Sequence, residues 1–332
     1  MLSAIHPLWA VAGGRLDLLG DQFPIAGDRL PSVSVGGVET HLVAASAARL
    51  SLIIPEDLPA GPTPIRIAGL EGETAFVEIG APITAGLHQV DNPAFDAAGN
   101  LYVTYSGTRG EQVPVSVFRV RGDGTREPFV TGIVNATSLA FDAFGVLHVS
   151  SRFDGCVYRV TPDGHAETFV SDLGIACGIA FAHDGSCFVG DRSGTIFRVS
   201  LSGEARAFAT LPASVAAFHL AIGPDEALYA TGPTLSPRDH LYRIDASGRV
   251  EPYATGFGRP QGLAFDAHGA LYLVEALAGM CGIYRIGPGG ARDLVLSGAD
   301  LVGLAFDPHG GLVVVSNDTA YRLSVPLRPW RA

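Results

Sequence analysis

The sequence predicts an all-β protein in which a six-bladed β-propeller follows a small β-sandwich. The first observation is a degenerate phrase that recurs about every 40 residues from about residue 86 onwards. The second is composition: 47% hydrophobic and 17% charged residues, with 42 glycines and 22 prolines, are typical of a core-rich, turn-rich β protein. The third is that the first 80 residues lack the phrase but contain short, turn-bounded apolar segments.

The recurring phrase reads Gly-Leu-Ala-Phe-Asp in its clearest copies, and a short turn and a second apolar strand follow each copy. The six copies are Asn92–Asp96, Ser138–Asp142, Gly178–Ala182, His219–Gly223, Gly262–Asp266 and Gly303–Asp307. Most units continue with a third strand, such as Val157–Val160, and a fourth, such as Glu127–Val130. Four strands at this period are the signature of a propeller blade. We therefore assign 81–327 to six blades and 328–332 to a C-terminal tail.

The sixth unit shows no fourth strand after Tyr321–Val325. An unpaired edge strand invites aggregation, so we expect another segment to complete this blade. The segment Pro82–His88, just before the first blade, is the expected donor. A three-stranded sixth blade is the alternative.

Residues 1–80 do not fit the repeat, and their short segments indicate a small sandwich. The phrases that stand out are Ile5-x-Pro7, Gly13-Gly14, Gly20-x-x-Phe23, Val-x-Val-Gly-Gly37, and Ile54-Pro55 followed by Gly61. As a set they resemble the IPT/TIG domain, an immunoglobulin-like module. The resemblance implies a spacer or an interaction domain.

Charge and hydropathy exclude some classes of function. The formal net charge is −11 and no basic patch is present, so we expect no nucleic-acid partner. No apolar stretch is long enough for a membrane span, and Met1–Gly14 lacks the basic start of a signal peptide. We expect a soluble, cytoplasmic protein, with secretion as the alternative if a leader has been removed. The expected partner is a small molecule, or a protein or glycan, and no organic cofactor is indicated.

Polar side chains are expected to collect at one mouth of the channel. In each blade the first strand lines the channel, and its start lies beside the end of the antiparallel second strand. Strand starts contribute Asp91, Asn92, Thr137, Cys177, His219 and Gln261, and second-strand ends contribute Arg152, Asp191, Arg192, Glu275 and Asn317. Ligands typically bind at such a concave site.

The six units resemble NHL repeats and the SMP-30/gluconolactonase/LRE family, on the phrases Gly-Leu-Ala-Phe-Asp and Leu-Tyr-Val. Lactonases of this family hold a divalent cation at the mouth with Glu, Asp and Asn ligands, and the metal polarises the lactone carbonyl. The resemblance implies calcium, magnesium or manganese here, with Asp91 as a ligand. Glu275 is the second candidate ligand, because it follows the apolar run Leu271–Val274 where that strand reaches the mouth.

The sequence departs from the family at three ligand positions. Asp91-Asn92-Pro93 stands where the family has Glu-Gly-Pro, and Cys177-Gly178 stands where it has Asn-Gly. The Asp-Gly phrase of the family falls on His219-Leu220 or on Gln261-Gly262, so its carboxylate is absent. The resemblance is therefore one of scaffold more than of site.

Two functions follow, and the sequence leaves open whether the protein is an enzyme. The first is a metal-assisted, lactonase-like hydrolase of a small lactone or related ester, with His219 as the base and Asp191 and Arg152 beside it. The expected substrate contacts are Asn92, Thr137, Arg192, Gln261 and Asn317. The second function is a non-catalytic NHL-type propeller that binds a protein or glycan. Structural roles are the alternative for these candidates: a turn cap for Asp91, a solvated loop for Glu275, surface ion pairing for Asp191, Arg152 and Arg192, and a structural channel histidine for His219.

Overall fold

The computed structural model describes residues 2–25, 29–70, 72, 74–277, 279 and 281–323. Strands dominate this part of the chain, and its one helical element is a 3-10 turn at Pro288–Gly290. None of the described residues belongs to a helix that is long and apolar enough to cross a membrane. The all-β prediction is confirmed.

The N-terminal region packs two sheets around one core. Its strands are β1 (Leu2–His6), β2 (Trp9–Ala10), β3 (Arg15–Gly20), β4 (Val33–Val35), β5 (Val38–Thr40), β6 (Leu42–Ser46), β7 (Arg49–Ile53), β8 (Gly61–Ile67) and β9 (Ala75–Ile79). One sheet has the order β1-β3-β7-β6, and the other contains β9-β8-β4-β5. Strand β3 shows why they pack: Leu16 and Leu18 are buried in the core while Asp17 between them lies on the other face.

The rest of the described chain forms six blades. After β10 (Ala81–Thr84), blade one comprises β11 (Ala94–Phe95), β12 (Leu101–Thr104), β13 (Val117–Val120) and β14 (Arg126–Val130). Blade two comprises β15 (Ala136–Phe141), β16 (Leu147–Ser151), β17 (Cys156–Val160) and β18 (Ala166–Val170). Blade three comprises β19 (Ala176–Phe181), β20 (Cys187–Asp191), β21 (Thr195–Val199) and β22 (Ala205–Thr210).

Blade four comprises β23 (His219–Ile222), β24 (Leu228–Thr231), β25 (Asp239–Ile244) and β26 (Val250–Phe257). Blade five comprises β27 (Pro260–Phe265), β28 (Leu271–Glu275), β29 (Gly282–Ile286) and β30 (Arg292–Ser297). Blade six comprises β31 (Leu301–Phe306), β32 (Leu312–Ser316) and β33 (Ala320–Arg322), together with β10. The first strands of neighbouring blades contact one another around the ring.

The aspartate and the glycine of the repeat form the hairpin turn between the first and second strands of a blade. In blade five, Asp266 Oδ1 accepts hydrogen bonds from the backbone N–H groups of His268 at 2.9 Å and Ala270 at 2.8 Å. Gly269 follows with a φ of +79°, a left-handed conformation that a side chain would disfavour. The same pair of residue types closes the hairpin of blade six at Asp307 and Gly310.

Blade six is completed from the N-terminal side, as expected. Strand β10 pairs antiparallel with β33, and the sheet order is β10-β33-β32-β31. The donor strand ends at Thr84, earlier than expected, although the Leu87 and Gln89 N–H groups still donate to the Asp318 and Asn317 carbonyls of blade six. His88 between them bridges to Tyr105 of blade one. Ser324 and Val325, the end of the third strand expected in this blade, lie outside the described residues, as does the 328–332 tail.

The N-terminal region and blade five share a sheet, which the sequence did not predict. The two-residue strand β2 pairs in parallel with β30 of blade five on one side and with β9 on the other. Trp9 lies opposite Leu296 and Glu78 in these pairings. Blade five therefore continues without a break into the N-terminal sheet, which covers its outer edge.

The glycine that opens the repeat phrase lies where inner strands approach most closely. A methyl group added at Gly262 would lie 2.7 Å from the Gly303 Cα atom. One added at Gly303 would lie 2.6 Å from the Asp91 carbonyl oxygen and 2.7 Å from the Asn92 Cα atom. Backbone therefore packs directly on backbone around the channel from blade five to blade one, and a side chain has no room there.

A methyl group at Gly303 tests this close approach. We expect Gly303→Ala to lower the free energy of unfolding by about 1–3 kcal/mol, because the clashing atoms are backbone and cannot rotate away. Gly122→Ala is the control, since a methyl group there meets nothing within 4 Å. Equilibrium urea unfolding measures both variants, and equal midpoints would show that the inner strands separate at no cost.

Candidate functional site

Antiparallel pairing brings the expected strand ends to one mouth of the channel. The start of each first strand lies opposite the end of the second strand in the same blade. In blades two, three and five the paired positions are Ala136 and Ser151, Ala176 and Asp191, and Pro260 and Glu275. The expectation that both sets of ends face the same mouth is confirmed.

This mouth opens into a cavity of about 430 Å³ whose charged groups are almost all guanidiniums. Three come from segments after the second strands of blades one, two and three, and the fourth precedes the first strand of blade five. They belong to Arg109, Arg152, Arg192 and Arg259. His88 lies beside them, and within the described part of the chain no carboxylate lines the cavity. The mouth is therefore cationic although the chain as a whole carries a net charge of −11.

The four arginines differ in how they are held. Arg192 donates hydrogen bonds to the backbone carbonyls of Ser214 at 3.2 Å and Val215 at 2.9 Å. Across residues 2–25, 29–70, 72, 74–277, 279 and 281–323, the other three guanidiniums have neither a hydrogen bond nor an ion pair. The ion pairing expected between Asp191 and Arg152 or Arg192 does not occur. Three positively charged groups therefore face the cavity with their donors unused.

Burial and neighbouring positive charges lower the pKa values of two of the groups that line the cavity. Burial lowers the pKa of Arg152 from its usual value, and the charges of Arg192 and Arg109 act in the same direction. Burial also lowers the pKa of His88, and the charge of Arg152 lowers it further while Glu111 opposes this shift. An anion in the cavity would relieve both effects, because it favours the charged form of each group.

The acidic side chains expected at the mouth are turned towards backbone N–H groups. Glu275 accepts hydrogen bonds from the backbone N–H groups of Gly258 and Arg259 at 2.7 Å and of Leu277 at 2.9 Å. Asp191 accepts one from the Ile175 N–H group at 2.8 Å and another from the Ser193 hydroxyl. Both carboxylates are buried and shape the loops that carry the arginines.

Asp91 and His219 form a buried pair across the channel. Asp91 Oδ1 lies 2.6 Å from His219 Nδ1 and accepts a hydrogen bond from the Asn92 backbone N–H at 2.7 Å. His219 Nε2 is buried and has no partner among the described residues. A carboxylate that orients an imidazole through Nδ1 and leaves Nε2 open is the arrangement of a general base. Neither residue lines the cavity, so this pair lies behind its wall.

The side chains at the mouth are not suited to bind a divalent cation. Both carboxylate oxygens of Asp191 and of Glu275, and Oδ1 of Asp91, already accept hydrogen bonds, and the described residues contain no group of three His, Cys, Asp or Glu side chains suited to a metal. The guanidinium charges also oppose a cation at this end of the channel. The structure therefore does not favour the expected calcium, magnesium or manganese site.

The other candidates divide between the cavity and its supporting framework. The sequence-based candidates that line the cavity are Arg152, Arg192, Gln261 and Asn317. Thr137 instead donates its hydroxyl to the Asn135 carbonyl at 2.8 Å. The Asn92 side-chain amide donates to the Leu263 carbonyl at 2.8 Å and accepts from the Leu304 N–H at 3.0 Å. It joins blade one to blades five and six and does not face the cavity.

Sequence reasoning missed Arg109, Arg259, His88 and Phe153, which also line the cavity. Arg109 lies in the long Gly107–Gly110 loop after the second strand of blade one, and Arg259 directly precedes the first strand of blade five. A signal was present: an arginine follows the second strand directly in blades two and three, directly precedes the first strand in blade five, and lies in the loop after the second strand in blade one. Reading those positions together as one cationic group would have identified the site.

No protein-family model matches this sequence, and no curated protein matches it.

Solved structures are similar to this chain in fold. An auxiliary nutrient binding protein from Bacteroides thetaiotaomicron has 14% identity and a TM-score of 0.58, over 97% of this chain and 96% of that chain. A gluconolactonase from Xanthomonas campestris has 18% identity and a TM-score of 0.61, over 73% of this chain and 88% of that chain. A virginiamycin B lyase from Staphylococcus aureus has 14% identity and a TM-score of 0.54, over 94% and 99% of the two chains. At these identities the similarity establishes the β-propeller fold and leaves the activity to be argued from the site.

Proposed function

We propose that the mouth of this propeller binds a small organic anion, or a lactone that opens to give one. The observation that carries the proposal is the set of four guanidiniums around one cavity, which no carboxylate of the described residues lines. A guanidinium presents paired N–H donors that match the oxygens of a carboxylate or phosphate. A cavity of about 430 Å³ also has the size of a small-molecule site, which favours a small ligand over the alternative of a protein or glycan.

Two of the similar structures support a small ligand. One is described as a nutrient binding protein and covers both regions of this chain, and another is a gluconolactonase. Opening a lactone produces a hydroxy acid, so the product of that reaction is itself an organic anion. Guanidinium groups also stabilise the negative charge that develops on the carbonyl oxygen during such a reaction.

Removal of one unpaired charge tests the binding site. We expect Arg152→Gln to weaken the binding of small organic acids, such as phenylacetate and gluconate, by about tenfold or more, because a charge-assisted hydrogen bond is lost. Isothermal titration calorimetry on the full chain measures the affinity. Arg206→Gln is the control, since Arg206 is an exposed partner of Glu204 on the outer strand of blade three. Equal weakening by both variants would point to net charge alone and would contradict the proposal.

The pH dependence of binding tests the contribution of His88. Its pKa is lowered in the free protein by burial and by Arg152, and a bound anion would raise it by favouring the charged imidazole. Binding should therefore tighten as the pH falls from about 7.5 to about 5.5, a range in which a carboxylate ligand stays ionised. Calorimetry at each pH should show a flatter profile for His88→Gln, and an unchanged profile would exclude His88 from the site.

A second candidate function is hydrolysis of the lactone, and the Asp91–His219 pair favours it. In this reaction His219 Nε2 takes a proton from water, and the resulting hydroxide attacks the lactone carbonyl carbon. The ring C–O bond then breaks, and the proton passes to the leaving alkoxide, which yields the hydroxy acid. His219 is fully buried, so hydrolysis requires an opening through which the ligand reaches its Nε2 atom.

Turnover separates the two candidates. If the protein is a hydrolase, dihydrocoumarin or δ-gluconolactone should be opened by the wild type, and His219→Gln should reduce the rate by about 100-fold or more while phenylacetate still binds. His165→Gln, an exchange outside the channel, should leave the rate unchanged. A pH-stat assay measures the acid released. A wild type without turnover would remove the hydrolase and leave the binding protein.

We also propose that residues 1–80 form an IPT/TIG-type module and that 81–327 form the propeller. Two packed sheets with one core and the Gly36-Gly37 turn support the first assignment. The continuous sheet through β2 supports a role of this module in holding blade five.

A further inference from the structure

The cavity that would receive the anion also has an aromatic side. Phe153 follows Arg152 in the chain, lines the cavity and has 54% of its surface exposed. The edge of its ring lies against Gly110, where an added methyl group would be 3.1 Å from the ring. That loop is itself held, because the Gly110 N–H donates to Asn135 Oδ1 at 2.7 Å. The ring is therefore supported at its edge and presents open apolar surface beside a charged group.

Two of the four amide side chains that line the cavity already make hydrogen bonds within the protein. Gln89 donates to the Asp91 carbonyl at 2.8 Å and accepts from the Thr104 N–H at 2.7 Å. Asn135 donates to the Ser106 carbonyl at 2.6 Å in addition to its bond with Gly110. Among the described lining residues only Gln261 and Asn317 offer an uncommitted amide. The guanidiniums supply donors to hydroxyl oxygens, but these side chains offer few acceptors for the O–H groups of a ligand with many hydroxyls, which lowers its affinity.

The remaining wall of the cavity is aliphatic. It is formed by Val90, Ile175, Val215, Ala216, Ala217 and Val302. These side chains offer contact area and no hydrogen bonds, so they favour a ligand whose body is apolar. Together with the guanidiniums they make the cavity complementary to a molecule with one charged end and one apolar end.

We propose that the ligand is a carboxylate with an aryl or alkyl group, or the corresponding lactone, and not a polyhydroxylated sugar acid. This inference rests on the proposed anion site and specifies its ligand. The carboxylate contacts the guanidiniums of Arg109 and Arg152, and the apolar group contacts Phe153.

The test compares phenylacetate with gluconate by calorimetry on the full chain. Both are monoanions, so they differ in the body of the molecule and not in charge. We expect phenylacetate to bind about tenfold tighter or more, and Phe153→Ala to weaken phenylacetate by about tenfold while changing gluconate by less than about twofold. Phe144→Ala is the matched control, because Phe144 is 82% exposed in the hairpin turn of blade two, at the other end of the blade. Phe153→Leu should retain most of the preference.

Each contrary result has a separate meaning. If gluconate binds as tightly as phenylacetate, or if Phe153→Ala weakens both ligands equally, the apolar ligand class is wrong. In that case a tenfold loss in Arg152→Gln would still uphold the anion site. If neither acid binds and Arg152→Gln changes nothing, the proposed function fails together with this inference. Thermal unfolding of each variant shows whether it is folded when its affinity is measured.

Discussion

The joint between the last blade and the first is the contact on which the rest of the structure depends. Six blades enclose a channel only if the ring closes, and the segment from β10 to Asn92 closes it twice. Strand β10 completes blade six, and the Asn92 side chain bonds to Leu263 of blade five and Leu304 of blade six. Asp91 directly precedes this amide, so the segment that closes the ring also sets the carboxylate against His219. Closure and the buried pair in the channel are therefore coupled.

The N-terminal region takes part in the same framework through β2. This strand extends blade five in parallel, and the neighbouring Val11 lies in the core that blades five and six share. The outer strand of blade five is thus paired on both sides. Blade five also carries Glu275, which holds the N–H group of Arg259 at the mouth.

The repeat predicts the number of blades, their hairpins and the mouth at which polar strand ends meet, because period and turn chemistry are local properties. It does not predict where a side chain points. Glu275 and Asp191 follow apolar strands, which is equally compatible with a ligand-binding carboxylate and with one that binds loop amides. Only the path of the loop, which depends on non-local packing, decides between them. Strand β2 was missed for a related reason: two residues carry no periodicity, and their pairing partner is 287 positions away in the Trp9–Leu296 pair.

The cavity is positively charged because the acidic side chains bind loop amides inside the protein while the arginines line its surface. The Asp191 and Glu275 carboxylates lie inside and accept hydrogen bonds from backbone N–H groups, so they form no ion pairs with the arginines that line the cavity. At physiological ionic strength charges more than about 8 Å apart are largely screened, so the net charge of −11 acts weakly on a ligand that has entered. The nearby guanidiniums then dominate the field inside the cavity. Arg192 is fixed by two carbonyls, whereas Arg109 and Arg152 are not, and the site thus combines one fixed donor with others that can adjust to the ligand.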